Sequence, residues 1–283
     1  MPELPEVEVL RRHLNPILTN KKIVGVEVLK LRTIRTESPS YIQDAIVGCT
    51  IKNVGRKGKF LELELVGSES LLTLSLIIHL GMTGRLFLQN SSELFPKHVA
   101  MVFLLGEEYL VFKDPRSFGR VSINNSIIKN LGVDAYSSDF TEDVLASVFQ
   151  NTKQSVKDRL MNQKFIAGLG NIYACEVLYM SRISPFVSGS SLSIQQVKTL
   201  YENINSILHE QVRFGLGLDL DFSGESKSDG LFYYGSKSGH RGQIKEQFKI
   251  YGREGIVCSI CNSLIQRTSQ SNRSTYYCPK CQS

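Results

Sequence analysis

Four cysteines near the carboxyl end restrict the possible fold of this chain more than any other sequence feature. They form two CxxC pairs, Cys258 with Cys261 and Cys278 with Cys281, and sixteen residues separate the pairs. This spacing allows four thiolates to surround one tetrahedral zinc ion, and the alternative is a pair of disulfides. Because protein ligands would fill every coordination position, we expect one structural Zn2+ and no catalysis at the metal.

The composition indicates a soluble globular protein without a membrane span. The 283 residues are 42% hydrophobic and 21% charged, which excludes wholesale disorder, collagen-like repeats and an extended coiled coil. The longest apolar run, Leu71–Leu80, contains polar residues and falls short of the roughly 20 residues that span a bilayer. The acidic start at Met1–Glu6 lacks a secretory signal pattern, so we expect a cytoplasmic protein with reduced thiols, Cys49 and Cys175 among them as buried side chains.

The excess positive charge lies in the last part of the chain. Of the formal +6, residues 227–283 carry nine basic against three acidic side chains, while the preceding 226 residues balance at 24 of each. Such a segment favours a polyanionic partner, although a solvated surface has the same composition. A zinc hairpin with Arg267 and Arg273 on its exposed side is compatible with nucleic-acid binding or with a protein contact.

Hydrophobic periodicity divides the chain into a β-rich part and a helical part. Alternation predicts short strands over residues 22–29, 50–54, 59–66, 71–79, 84–88, 98–104, 108–113 and 120–123, which is typical of an antiparallel sandwich. Helices are predicted near residues 5–14, where Pro16 would end or kink the helix, at 41–47, and then at 142–150, 156–162, 171–180 and 194–214. Residues 215–243 are rich in Gly, Ser and Asp and indicate a long loop.

The amino terminus offers a reactive group if Met1 is removed, as a small following residue generally permits. Pro2 would then be a terminal secondary amine with a pKa of about 8, partly unprotonated at neutral pH. Such an amine attacks an aldehyde-like carbon to form an iminium, and Glu3 and Glu6 lie beside it to transfer protons. Taken alone, the same residues are an ordinary helix start with Pro5 in the first turn.

Six motifs in one order resemble those of the formamidopyrimidine-DNA glycosylase family of base-excision repair enzymes. They are residues 2–8 (PELPEVE), 78–84 (IHLGMTG), 114–119 (DPRSFG), 168–174 (GLGNIYA), 251–253 (YGR) and the four-cysteine finger. The resemblance extends from Pro2 to Cys281. It implies a monomeric DNA glycosylase and abasic-site lyase that acts on double-stranded DNA containing oxidised purines, chiefly 8-oxoguanine and formamidopyrimidines.

With this resemblance we predict a multidomain α+β fold. An N-terminal catalytic antiparallel β-sandwich with flanking helices would occupy residues 1–135, and a helical helix–two-turn–helix DNA-binding domain would occupy 136–226. A lesion loop or linker at 227–249 would lead to the zinc-finger hairpin at 250–283. Periodicity alone would also fit a small helical bundle in the middle segment.

The resemblance also implies roles for single residues. Pro2 would attack C1′ of the damaged nucleotide and expel the base, and the iminium would allow β- and δ-elimination of both phosphates. Glu3 would protonate the sugar ring oxygen, Glu6 would support the site, and Lys59 would bind phosphate near the lesion. Further phosphate contacts would come from His79, Asn171, Tyr251 and Arg273, and Arg273 is also counted among the catalytic residues. The space left by the extruded base would be filled by Met82, Arg116 and Phe118.

Each of these residues also has an ordinary structural explanation. Lys59 is compatible with a solvated charge and His79 with a buried core histidine. Asn171 fits a helix N-cap, and Met82 and Phe118 fit core or loop-anchoring positions.

Two segments depart from the family pattern. Ser117 stands where the family commonly has a second arginine, so we expect one phosphate contact to be weaker or water-mediated. The loop over the lesion base, residues 216–247, is longer and different, and it adds Lys227, Lys237 and Arg241 to the basic segment. Base selectivity is therefore the least determined property.

Two other functions fit parts of the sequence. An endonuclease VIII-type enzyme for oxidised pyrimidines would share the proline nucleophile and the finger, but Leu4 favours the purine branch because the other branch usually has glycine there. A non-catalytic zinc-finger protein that binds damaged or bent DNA would keep the basic finger. It would have no use for Pro2, Glu3 and Lys59 together.

Overall fold

The computed structural model describes residues 2–35, 37–67, 73–90, 94–123, 125–217 and 248–282. Met1 and nearly all of the lesion loop predicted at 227–249, with Lys227, Lys237 and Arg241, lie outside these residues. The described residues divide into two compact units, one formed mainly by residues up to Lys129 and the other by residues 130–213 and 248–282. No helix among them combines the length and apolar character that a bilayer span requires.

The first unit begins with helix α1 (Leu4–Leu18). Leu10, Leu14 and Leu18 are fully buried, because residues three or four apart share one face of a helix. Of the two predicted effects of Pro16, an end or a kink, an end at Pro16 is wrong, since the helix continues to Leu18. A proline in the last turn removes a single backbone hydrogen bond, which the buried face tolerates.

An antiparallel sandwich forms the rest of this unit, together with α2 (Pro39–Ile46) and the short helix α3 (Ser126–Lys129). Its strands are β1 (Gly25–Val28), β2 (Thr50–Lys57), β3 (Phe60–Val66), β4 (Thr73–His79), β5 (Arg85–Asn90), β6 (Val99–Leu104), β7 (Glu108–Lys113) and β8 (Arg120–Ser122). One sheet has the order β1-β6-β7-β5 and the other the order β2-β3-β4-β8. Side chains from both sheets and from α1 share one core, which confirms the predicted sandwich.

The second unit contains the helices and the zinc-finger hairpin. Its helices are α4 (Glu142–Phe149), α5 (Val156–Met161), α6 (Asn171–Met180) and α7 (Ile194–Leu216), of which α7 belongs to this unit up to Arg213. It also has a short parallel pair, β9 (Val133–Asp134) with β10 (Ile166–Ala167). The hairpin strands β11 (Gln266–Gln270) and β12 (Arg273–Tyr277) pair antiparallel. Ser271 and Asn272 form the turn with φ of 48° and 59°, the positive values that a two-residue hairpin turn requires.

Candidate active site

The predicted nucleophile and its two carboxylates lie together at the start of α1. Pro2, Glu3 and Glu6 are all buried, with Glu3 and Glu6 no more than 1% exposed. The backbone N–H of Glu3 donates to Glu6 Oε2 at 2.8 Å, as part of a capping box at the helix N-terminus. The positive end of the helix dipole stabilises carboxylates at this position. The structure therefore fixes two acidic groups directly beside Pro2.

The turn that carries Lys59 is tied to the same helix by a buried ion pair. Arg56 Nε donates to Glu8 Oε2 at 2.8 Å, and Arg56 Nη1 donates to the carbonyl oxygen of Gly58 at 2.8 Å. Both charged side chains are 6% exposed. Gly58 has a φ of +57°, which a glycine adopts without strain at this tight turn between β2 and β3. The helix that follows Pro2 and the turn that precedes β3 thus hold each other in place.

The ion pair depends on Glu8 being ionised. Burial alone would raise the pKa of Glu8, but hydrogen bonds from Arg11, Arg12 and Arg56 outweigh it and lower the pKa to about 2. The carboxylate therefore stays charged at neutral pH.

His79 is a neutral imidazole at the end of β4. Its ring packs on Phe60 with 4.6 Å between centroids, and these two residues are partners in the β3–β4 register. Burial, followed by the positive charges of Lys59 and Arg120, lowers the pKa of His79 to about 4. The N–H of Gly81 donates to His79 Nδ1 at 3.1 Å, so in the neutral ring Nε2 carries the hydrogen. His79 is consequently prepared as a hydrogen-bond donor.

The three predicted intercalating residues lie on two loops that touch. Met82 and Phe118 are 37% and 45% exposed, which excludes core positions for them. Arg116 lies over the Phe118 ring with its guanidinium carbon 4.9 Å from the centroid. Residues 114–119, here called the wedge loop, are held by the Asp114 carboxylate, which accepts from Thr83 Oγ1 at 2.8 Å and from the N–H of Gly119 at 2.6 Å.

Gly81 allows the two loops to approach each other. It has a φ of +64°, and a Cβ at this position would lie 2.6 Å from backbone atoms of both Phe118 and Gly119. Any larger side chain would push the Met82 loop away from the wedge loop.

In the second unit, the predicted phosphate-binding residues gather along β12. Asn171 Nδ2 donates to the carbonyl oxygen of Ser274 at 2.8 Å, one residue from the exposed Arg273. The Tyr251 ring packs edge-on against Tyr276 of β12 with 5.0 Å between centroids. The alternative role of Asn171 as the N-cap of α6 is wrong, because Gly170 occupies that position and Asn171 is the first helical residue.

The four finger cysteines are arranged as zinc ligands. Their Sγ atoms all lie within 4.8 Å of one another, with 3.4 Å between Cys261 and Cys278 and 3.9 Å between Cys258 and Cys281. Four sulfurs about 2.3 Å from a tetrahedral Zn²⁺ lie about 3.8 Å apart, so the cluster fits one zinc ion. Its closed set of four ligands suits a structural role. The Tyr179 hydroxyl of α6 lies 3.2 Å from Cys258 Sγ, and the thiols of Cys49 and Cys175 are buried as predicted.

Sequence reasoning missed three buried charged residues, each of which contacts a predicted functional segment of its own unit. They are Glu8, Lys157 and Glu176. Lys157 Nζ donates to Thr275 Oγ1 at 2.7 Å. The Glu176 carboxylate accepts from the N–H groups of residues 249, 250 and 251. Burial raises the pKa of Glu176, although these backbone hydrogen bonds oppose it. A single acidic residue within the otherwise apolar segment 172–180 was the available signal for Glu176.

Comparison with family models assigns all three parts of the chain. The model described as "Formamidopyrimidine-DNA glycosylase N-terminal domain" matches residues 1–121, and the one described as "Formamidopyrimidine-DNA glycosylase H2TH domain" matches residues 131–219. The model described as "Zinc finger found in FPG and IleRS" matches residues 255–283.

Full-length relatives and solved structures agree with these matches. The formamidopyrimidine-DNA glycosylases of Wolbachia pipientis wMel and Carboxydothermus hydrogenoformans are each 34% identical to this chain, with 100% of both partners covered. Lactococcus lactis Fpg in complex with abasic-site DNA has a TM-score of 0.84 at 27% identity, and covers 99% of each chain. The wild-type Lactococcus lactis enzyme in complex with N7-benzyl-Fapy-dG DNA has a TM-score of 0.84 at 28% identity and the same coverage.

Proposed function

The chain belongs to the formamidopyrimidine-DNA glycosylase family and is a base-excision-repair DNA glycosylase with abasic-site lyase activity; from this premise we propose that Pro2 removes oxidised purines through a Schiff base. We assign the catalytic sandwich to residues 1–135, the helix–two-turn–helix domain to 136–226, the lesion loop to 227–249 and the finger to 250–283. The substrate is double-stranded DNA that contains 8-oxoguanine or a formamidopyrimidine, and the protein acts as a monomer in the cytoplasm.

The proposed reaction uses the unprotonated amine of mature Pro2. Its nitrogen forms a bond to C1′ of the damaged nucleotide while the bond from C1′ to the base breaks, and the departing base takes up the proton that the nitrogen releases. Glu3 then donates a proton to the sugar ring oxygen as the ring opens, which leaves an iminium between Pro2 and C1′. The iminium accepts electrons as the C2′ proton is lost, and the 3′ phosphate leaves by β-elimination. Loss of the C4′ proton from the conjugated product then lets the 5′ phosphate leave by δ-elimination.

One observation carries this proposal: buried carboxylates flank Pro2 at the start of a helix that is locked to the Lys59 turn. Glu3 and Glu6 are buried, and the Glu6 carboxylate accepts the backbone N–H of Glu3, the residue next to Pro2. The pair between Glu8 and Arg56 joins α1 to the β2–β3 turn, so Lys59 and Pro2 are presented by one rigid assembly. Such preorganisation is what a multi-step reaction at one sugar requires.

We assign the DNA backbone to the donors described above. Neutral His79 offers Nε2–H, which can bind a phosphate oxygen without placing a second positive charge beside Lys59. Asn171, Tyr251 and Arg273 would bind further phosphates from the second unit. Met82, Arg116 and Phe118 would fill the space of the extruded nucleotide, since inserted apolar side chains unstack and kink a duplex. Zinc, held by the four finger cysteines, supplies the folding free energy of a hairpin too small for its own core.

Borohydride trapping tests the proposal. The protein is incubated with duplexes that contain 8-oxoguanine or thymine glycol, and borohydride reduces any iminium to a stable adduct. We expect an adduct with 8-oxoguanine, located at Pro2 by mass spectrometry of the tryptic peptide. Absence of any adduct would refute the enzymatic mechanism, and an adduct with thymine glycol alone would assign the chain to the oxidised-pyrimidine branch.

A matched pair of proline variants identifies the nucleophile. Pro2→Gly should abolish trapping on 8-oxoguanine, whereas Pro39→Ala, at an exposed proline that begins α2, should leave it intact. Wild-type trapping by Pro2→Gly would remove Pro2 from its role. Full DNA binding by wild-type protein without any trapping would instead support the damaged-DNA-binding alternative.

A further inference from the structure

Lys30 reaches the wedge loop from a distant part of the chain. It follows β1, and its Nζ donates to the carbonyl oxygen of Asp114 at 2.7 Å and contacts Ser117 Oγ at 3.4 Å. These partners are 84 and 87 residues away in sequence. The contact therefore exists only because the fold places the end of β1 beside the wedge loop.

The backbone of Lys30 is held by the sheet. The N–H groups of Leu29 and Lys30 donate to the carbonyl oxygen of Ala100 at 3.0 and 3.1 Å, and the carbonyl oxygen of Lys30 accepts from Thr33 at 3.0 Å. A lysine anchored in this way delivers its ammonium group to a defined place.

The charge of Lys30 is not neutralised by these two acceptors. Both are uncharged oxygens, and an ammonium group carries three N–H donors. Lys30 contacts the backbone oxygen of Asp114, while the carboxylate of Asp114 accepts hydrogen bonds from the Thr83 hydroxyl and from the N–H groups of Arg116 and Gly119. A positive charge thus lies at the base of the loop that presents Arg116 and Phe118.

Position 117 of the wedge loop carries an uncharged side chain. Ser117 has a φ of 55°, an unusual backbone conformation for a residue other than glycine, and its hydroxyl faces the ammonium of Lys30. The serine side chain brings no charge of its own to the loop. Lys30 brings one to the same place.

We infer that Lys30 binds a DNA backbone phosphate at the wedge loop while it holds that loop through Asp114 and Ser117. The inference rests on the proposed function, since it requires that the wedge loop meets DNA. Lys30 would be a DNA-binding residue that replaces, from β1, a charge that position 117 lacks.

The salt dependence of DNA binding tests this inference. Affinity is measured across a KCl series for a duplex with a tetrahydrofuran abasic analogue, which is bound without turnover. Affinity falls as salt rises, and loss of one phosphate contact makes the slope of log affinity against log salt shallower by about 0.9. Between about 50 and about 200 mM KCl, the factor by which affinity falls should therefore be about 3.5 times smaller for Lys30→Gln than for the wild type. Lys30→Arg should keep the wild-type slope.

Two further variants separate the direct contact from other effects. Lys52→Gln removes the same charge from an exposed residue paired with Glu64, at the end of the sheet opposite His79, and should leave the slope unchanged. Adding Ser117→Lys to Lys30→Gln should restore the wild-type slope, because it returns the charge to the loop.

The outcomes distinguish this inference from the proposed function. Wild-type protein that forms no borohydride adduct contradicts the proposed function, whatever Lys30 does. Wild-type protein that forms the adduct, together with an unchanged slope in Lys30→Gln, overturns the Lys30 contact. A slope that Ser117→Lys does not restore also overturns it, because Lys30 would then act only on the shape of the loop.

Discussion

Replacing Glu8 by glutamine measures how strongly one buried carboxylate stabilises the first unit. Glu8 receives hydrogen bonds from Arg11, Arg12 and Arg56, which lower its pKa from the ordinary 4.5 to about 2 despite burial. One pKa unit corresponds to about 1.36 kcal/mol, so ionised Glu8 contributes about 3 kcal/mol to the free energy of unfolding at pH 7, allowing for partial solvent screening. Glu8→Gln should cost at least this much, because it also leaves the buried Arg56 without a counter-charge.

The effect has a defined pH dependence. The folded-state pKa lies below the unfolded one, so the stabilisation is complete above pH 4.5 and is lost as the pH falls from there towards 2. About 2 kcal/mol of the difference between wild type and Glu8→Gln should therefore disappear between about pH 7 and about pH 3.

Denaturant unfolding at several pH values provides the assay. Hydrogen exchange of peptides from α1 identifies the transition that belongs to the first unit, because the two units need not unfold together. Glu64→Gln is the matched control, since Glu64 is 33% exposed and pairs with an exposed lysine at 3.4 Å, and it should cost less than about 1 kcal/mol at any pH. A stability difference for Glu8→Gln that stays constant between pH 7 and pH 3 would refute the reasoning.

Four other outcomes are expected. Gly81→Ala should weaken lesion-DNA binding more than tenfold, because the new Cβ would lie 2.6 Å from the backbone of the wedge loop. Gly106→Ala is the control: Gly106 has a φ of +90° and no atom within 4 Å of a Cβ, so this variant should show only the backbone strain, about 1–2 kcal/mol in unfolding experiments. His79 should titrate near pH 4 by NMR. Because its pKa is lower in the folded state than in the unfolded state, the free energy of unfolding of the wild type should fall as the pH drops from 6.5 towards 4, and that of His79→Gln should fall less. Lys157→Met should leave stability within about 1 kcal/mol of wild type but weaken DNA binding, because an apolar side chain fills the space without holding Thr275. Chelation of zinc should abolish DNA binding, and full binding by metal-free protein in a filter assay would contradict the structural role.

Local patterns predicted most of the fold. Alternation along Phe60–Val66 corresponds to alternating burial of the same side chains, and the predicted helix at 171–180 has these bounds in the structure. The pairing of β9 with β10 gave no sequence signal, because two residues are too few to show a period. Gly170 as the cap of α6 was missed because a glycine cap uses the backbone and leaves no side-chain signature.

The candidate site was predictable where its chemistry is local. The CxxC pairs and the Pro2–Glu6 segment carry their ligands and reactive groups within a few residues. Contacts such as Arg56 with Glu8, 48 residues apart, or Lys30 with Ser117, 87 residues apart, depend on sheet register and helix packing. Hydrophobic periodicity does not predict which charged side chains the fold will bury.

Buried charges in both units act on geometry as well as on stability. An ion pair taken out of water gains little over an apolar contact of the same size, but either partner is costly when the other is misplaced. A displaced β2–β3 turn would leave Glu8 or Arg56 unpaired, and a displaced β12 would leave Lys157 without Thr275. Each contact therefore penalises misplacement of a neighbouring functional segment, the Lys59 turn in one unit and the Arg273 strand in the other. A covalent reaction that loses rate when its groups shift by about 1 Å needs this kind of positional control.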